Sequence, residues 1–175
     1  MTGKSEETPH GAIWRLLAND HARLDLLLQR VGSCRSAEDI AAYDQFRRGL
    51  LRHIAMEDKV LLPAAERARG APIPEALRLR LDHGALAALM IPSPQPSVVR
   101  AIRIVLDRHN PLEESEGGVY DSCEWLTGAA AEEILAALEA TGPVPVKPHL
   151  DTPKVYDALR RALARAGYDE HTVDT

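Results

Sequence analysis

LRHIAMEDKVLLP, residues 51–63, carries His53 and Glu57 four positions apart. At ~3.6 residues per helical turn, four residues come nearly full circle, so the two side chains leave the same face of a helix. That face is otherwise apolar, since Tyr43, Phe46, Leu50, His53, Glu57, Val60 and Ala64 step by three and four. A polar pair therefore sits inside a core-facing stripe. LDRHNPLEESEGGVYD, residues 106–121, repeats the pair as His109 and Glu113, on a stripe of Val99, Ile102 and Leu106. NDHARLDLLL (19–28) and LDHGALAALM (81–90) each supply a single histidine after an aspartate, as Asp20-His21 and Asp82-His83. These also fall in stripes: Ile13, Leu17, His21, Leu24, Leu28, and Ala76, Leu79, His83, Leu86, Met90.

A lone histidine on an apolar face is more often a hydrogen-bonded core residue than a ligand, and one His-x-x-x-Glu is weak evidence. Four histidines and two glutamates, in an ordered repeat on four amphipathic segments, are different. A buried carboxylate without a partner costs several kcal/mol, so Glu57 and Glu113 must be neutralised or meet a cation. The pattern predicts a metal site of His21, His53, Glu57, His83, His109 and Glu113 in the core of a helical bundle.

Composition fits this. With 175 residues, 45% apolar and 27% charged, the chain suffices for one domain that buries about two-thirds of its unfolded surface. A net charge of −5 and no long basic cluster argue against nucleic acid or an anionic membrane as partner. The N-terminal MTGKSEETPH has no apolar run and no stretch reaches the ~18 residues of a membrane span, so the expected location is cytoplasmic. Cys34 and Cys123 stand far apart in no C-x-x-C arrangement and are expected to be reduced thiols, Cys123 in core packing.

Turn and cap signals divide the chain. Helices are expected at about 11–31, 37–69, 74–90 and from about 97, with Ser36 as an N-cap, Gly70 as a stop and the proline-rich IPSPQP before the fourth. The fold class is all-α. Short links favour an antiparallel up-down-up-down four-helix bundle over residues 1–127, followed by a C-terminal helical extension at 128–175. Within the extension, 131–140 forms a short helix, TGPVPVKPHLDTP a linker, and 153–166 an amphipathic helix with Val155, Leu159 and Leu163 on one face. This last helix is expected to dock on its own bundle, and His149 and His171 to lie at the surface.

The fourth segment departs from its counterpart. It carries about two extra residues near Gly117-Gly118, and Pro111 removes a backbone donor, so a kink or bulge is expected after His109. Glu113 matches Glu57 in spacing and is the favoured carboxylate. Glu116, seven residues after His109, faces nearly the same way and stays open as an alternative, with Tyr120 as a neighbour, whereas Glu114 is expected to face elsewhere.

The doubled pattern, with the phrases HNPLEE and MEDKVLLP, resembles the hemerythrin-like family, the HHE cation-binding domain, in particular its bacterial members. The resemblance covers about residues 10–127. It implies an antiparallel four-helix bundle holding two iron ions, oxo- or hydroxo-bridged. By the same resemblance, His21 and His53 serve one iron, His83 and His109 the other, and Glu57 and Glu113 bridge them. The oxygen-carrying hemerythrins have a fifth histidine four residues from the third-helix ligand; here those positions hold Leu79 and Ala87. Both irons would then be open, with Asp25, Glu116 or Tyr120 as candidates for an extra contact, Asp25 more as an orienter of an imidazole, and His10 too distant.

The function expected from this reading is a non-heme di-iron protein that binds or senses dioxygen, nitric oxide or a related oxidant. The alternative is an oxidant-removing enzyme of peroxidase or catalase-like type, with Tyr43 or Tyr120 supplying electrons or protons. Whether the chain is an enzyme, and its oligomeric state, stay open. Iron storage fits poorly, and a structural zinc site suits two bridging carboxylates less well than iron.

Overall fold

The first helix is started by a side chain from far along the chain. In a computed structural model describing residues 10–174, α1 spans Ala12–Arg30, and Glu124 accepts hydrogen bonds from the backbone N–H groups of Ile13 (3.0 Å) and Trp14 (3.2 Å). These satisfy donors that a helix start otherwise leaves open, and the negative charge suits the helix N-terminus. Gly11 is what allows it, because a Cβ there would collide with the Glu124 carboxylate.

α2 (Ala37–Met56) starts at Ser36, whose hydroxyl accepts from the Asp39 N–H while the Asp39 carboxylate accepts from the Ser36 N–H. A π-helical turn, Glu57–Leu61, leads into α3 (Leu62–Arg69), which stops at Gly70 with φ of 71°. The expected single helix over 37–69 is thus continuous but locally overwide. The extra residue in the turn alters the stripe: Ala64 is buried as expected and Leu61, Leu62 and Ala65 join it, while Val60, also expected in the stripe, is half-buried.

α4 (Ala76–Leu89) and α5 (Pro96–Glu114) follow. The expected disruption after Pro111 comes later than the proline, since α5 runs through it and breaks at Ser115. Gly117 turns the chain with φ of 73°, and a Cβ on Gly118 would lie 2.7 Å from the carbonyl oxygens of Glu113 and Ser115. α6 (Val119–Thr127), a 3-10 turn (Gly128–Ala130), α7 (Ala131–Glu139), α8 (Pro153–Arg165) and a final 3-10 turn (Glu170–Val173) complete a helical bundle with no strand among the described residues. The reading of residues 1–9 as polar, and the start of the 1–127 segment, lie outside the described residues.

Two apolar clusters make the core. One joins Leu24, Leu28, Tyr43, Phe46, Leu50 and Leu86 with Ala101, Ile102 and Val105; the other joins Ile13, Leu17, Met56, Leu61, Leu79, Tyr120 and Cys123. His21, His53, His83 and His109 belong to neither and lie between them as a buried polar layer. Tyr43, expected near the site, is instead ten residues or ~15 Å up its helix; its hydroxyl donates to the Leu89 carbonyl at 3.4 Å. α8 docks on its own bundle as expected, burying Leu159 and Leu163 in the first cluster with Ala166, Tyr168 and Val173. No helix among the described residues is long and apolar enough to cross a membrane.

Candidate metal centre

Glu57 is the first residue of the π-helical turn and is 1% exposed, and its two oxygens face different imidazoles. Oε1 lies 3.1 Å from His53 Nε2, and Oε2 lies 3.1 Å from His83 Nε2. Glu113, fully buried near the end of α5, presents Oε2 to His109 Nε2 at 3.2 Å and to His21 Nε2 at 3.6 Å. The six residues predicted from the repeat are thus brought together. They form two donor groups with Glu57 in both: His21, His53 and Glu57, and Glu57, His83, His109 and Glu113, each with ligand atoms within 4.8 Å of one another. Glu116 is exposed, because the break after Glu114 ends the helical phase that would have turned it inward.

Each imidazole turns Nε2 inward because its Nδ1 is held from outside by a carboxylate on a neighbouring segment. Asp20 holds His53 (3.0 Å), Asp58 holds His83 (3.1 Å), Asp82 holds His109 (3.4 Å) and Glu114 holds His21 (2.5 Å). The four contacts close a ring: α1 supports α2, the π-helical turn supports α4, α4 supports α5, and α5 supports α1. Two expectations are corrected here. Glu114 faces the site rather than elsewhere, and Asp25 orients no imidazole, its carboxylate contacting Gln29 and Arg103 instead. The ring was missed although its signal is in the sequence: each supporting carboxylate is the immediate neighbour of an inward residue, in Asp20-His21, Glu57-Asp58, Asp82-His83 and Glu113-Glu114.

Tyr120 Oη reaches the centre from α6, where the Gly117-Gly118 turn delivers it. It donates to Glu57 Oε1 and lies 3.1 Å from Glu113 Oε2, 3.3 Å from His53 Nε2 and 3.4 Å from His21 Nε2. Burial, then the charges of Glu113 and Glu57, push its ionisation well above the ordinary phenol range.

The electrostatics favour positive charge at the centre. Burial lowers the His53 pKa, but the Glu57 charge and the Asp20 contact outweigh it and raise it to about 10. His83 is raised to about 10 against burial by Asp58 and Glu57, and His109 to about 9 by Glu113 and Asp82. Burial opposes ionisation of Glu57, yet His53 and His83 hold it well below the usual carboxylate range. Even so, Glu57 Oε2, His83 Nε2 and Glu113 Oε1 are buried with no directed hydrogen bond. Buried polar atoms that face one another without pairing are costly unless a cation lies among them. Carboxylate and imidazole donors of this kind suit a metal ion. Cys123, buried nearby, takes no such part; burial pushes its thiol up to about 12, as expected for packing.

A model of the hemerythrin HHE cation binding domain matches residues 12–116. The chain belongs to this family. No curated protein and no solved structure matches it. The hemerythrin match takes in all six inward residues and all four supporting carboxylates, while Tyr120 and the C-terminal helices lie beyond it. The two positions where a fifth histidine would stand offer no donor to this hemerythrin-type centre, as expected: Leu79 packs in the second apolar cluster and Ala87 is half-buried. The polar group that enters from the side of that cluster is the Tyr120 hydroxyl.

Beside His21 lies a cavity of about 170 Å³ bounded by Leu24, Leu50, Leu106 and Asn110 and by the carboxylate residues Asp25 and Asp107. The Asn110 side-chain oxygen is buried there without a partner.

Proposed function

We propose that this hemerythrin-domain chain is a non-heme di-iron protein that binds or senses dioxygen, nitric oxide or a related oxidant. His21 and His53 hold one ion, His83 and His109 the other, and Glu57 and Glu113 span both. The observation that carries the reading is the sharing of Glu57 between two donor groups, one oxygen toward each histidine pair. A carboxylate shared in this way suits two hard, redox-active ions better than one closed tetrahedral ion. The accompanying topology is the antiparallel up-down-up-down four-helix bundle. Its support is the order in which the helices meet the two apolar clusters: Leu17 then Leu24 in α1, Leu50 then Met56 in α2, Leu79 then Leu86 in α4, and Val105 in α5 then Val119 in α6.

Iron held by these residues would supply one-electron chemistry toward a small oxidant. The residues around it do the rest. Leu24, Leu50 and Leu106 leave room beside His21 for a ligand of a few atoms. The four outer carboxylates fix which imidazole nitrogen points inward. Tyr120 keeps a proton on Oη, in contact with both carboxylates. Iron analysis of protein expressed with added iron tests the reading: two tightly bound irons per chain are expected, and one or fewer would refute it.

The Tyr120 hydroxyl favours a second reading, an oxidant-removing enzyme of peroxidase or catalase-like type, because a buried phenol at the centre can give up a proton and an electron. Sustained peroxide consumption by the iron-loaded chain, lost in Tyr120→Phe, would select it.

A further inference from the structure

The four supporting carboxylates are not equally placed. Asp82 is fully buried and needs a counter-charge, which it finds in Arg78 one turn earlier, with Nη2 2.9 Å from Oδ1. Arg78 is in turn gripped by a segment beyond the family match. Its Nη1 donates to the Ala166 carbonyl at 2.6 Å and its Nη2 to Tyr168 Oη at 3.0 Å. The Tyr168 ring, 7% exposed, is flanked by two guanidinium groups, Arg78 at 5.3 Å and Arg108 at 4.8 Å from its centroid. Gly167, with φ of 73°, makes the turn that lets the Ala166 carbonyl and the Tyr168 side chain meet one guanidinium. Burial, then the nearby Asp82 carboxylate, push the Tyr168 phenol up to about 12, which agrees with the closeness of the two groups.

We propose that the segment Ala166–Tyr168 is a positioning element of the metal centre: it holds Arg78 against Asp82, and Asp82 thereby sets the orientation of His109. The inference rests on the assignment of His109 as a ligand made above. His53 is supported differently, by Asp20 paired with Arg23 on the same helix at 2.7 Å. Loosening the C-terminal segment should therefore disturb one half of the centre and leave the other.

The test uses the iron-loaded full chain and its Tyr168→Phe, Arg78→Leu and Arg78→Lys variants. Tyr168→Phe keeps the ring between the two arginines and removes only the hydroxyl, so it preserves the packing. Release of iron to a chelator should become biphasic in Tyr168→Phe and Arg78→Leu, one ion leaving roughly 10-fold faster and the other at the wild-type rate, with Arg78→Lys intermediate. In the metal-free chain, nitrogen-15 spectra of labelled histidines should show the His109 Nδ1 resonance moving while those of His21 and His53 stay. Unchanged release in both Tyr168→Phe and Arg78→Leu, or an equal acceleration of both ions, would overturn the proposal. A wild-type chain that retains fewer than two irons would refute the di-iron reading instead, and the histidine spectra would still decide this one: an unmoved His109 resonance overturns it.

Discussion

The Asp20 carboxylate lies 3.0 Å from Nδ1 of His53, on the next helix, and not against His21, its neighbour in the chain. The same displacement recurs at Asp58, Asp82 and Glu114, so each helix positions the imidazole of another. A metal centre built this way depends on the packing of the bundle, because no helix carries both a histidine and its support.

Asp20→Asn keeps the shape and removes the charge. His53 would keep at most a neutral amide acceptor in place of the charged one on its Nδ1–H, and metal affinity should fall roughly 10- to 100-fold with the helical content unchanged. Competition with a chelator measures the affinity, and circular dichroism the fold; wild-type affinity in Asp20→Asn would remove the role assigned to the ring.

His53→Ala should abolish the proposed two-ion centre, since His53 belongs to one donor group and touches Glu57, which belongs to both. His149, half-buried with its ring 5.9 Å from that of Tyr43, has no part in the layer, and His149→Ala should keep full iron content. Equal iron content in both variants would contradict the ligand assignment.

Removing metal should lower the melting temperature. The six inward residues would be left to neutralise one another, with three of their atoms unpaired, and a ligand bound only by the native state contributes about 2.7 kcal/mol at 100 times its Kd. Coincident melting curves for metal-free and iron-loaded protein would reject the expectation.

The start of α2 offers a test away from the centre. Ser36→Ala removes one half of a reciprocal cap and should cost about 1 kcal/mol. Asp39, the other half, is held at about 2 by backbone N–H donors from Arg35, Ser36 and Gly32 and by the Ser36 hydroxyl. A carboxyl whose folded pKa is depressed stabilises the fold above its unfolded value and loses that contribution as pH falls toward the folded one. Stability from Asp39 should therefore be complete above about pH 4 and fade toward pH 2, and acid titration of Asp39→Asn against wild type should show the wild type losing more over that range.

On the proposed di-iron reading, with Leu79 and Ala87 where a fifth histidine would stand, the chain loaded with ferrous iron should react with dioxygen quickly and return little of it. Stopped-flow spectra check this: recovery of the starting spectrum under argon would favour a carrier, and continued peroxide consumption would favour the enzyme.

Helix positions and the six inward residues were legible in the chain because both follow from local geometry. A period near four puts His53 and Glu57 on one face whatever surrounds them, and Ser36 and Gly70 mark ends by their own backbone and side-chain preferences. Contacts between helices were not legible, because they depend on which faces meet and at what height. Spacing left Glu116 open and turned Glu114 away; the break at Ser115 exposes the first, and the packing of α5 on α1 brings the second to His21. The π-helical turn at Glu57, the Glu124 cap on α1 and the grip of Tyr168 on Arg78 likewise join residues that no local period relates. Local periodicity decides which face a side chain leaves from, and only the packed bundle decides what it finds there.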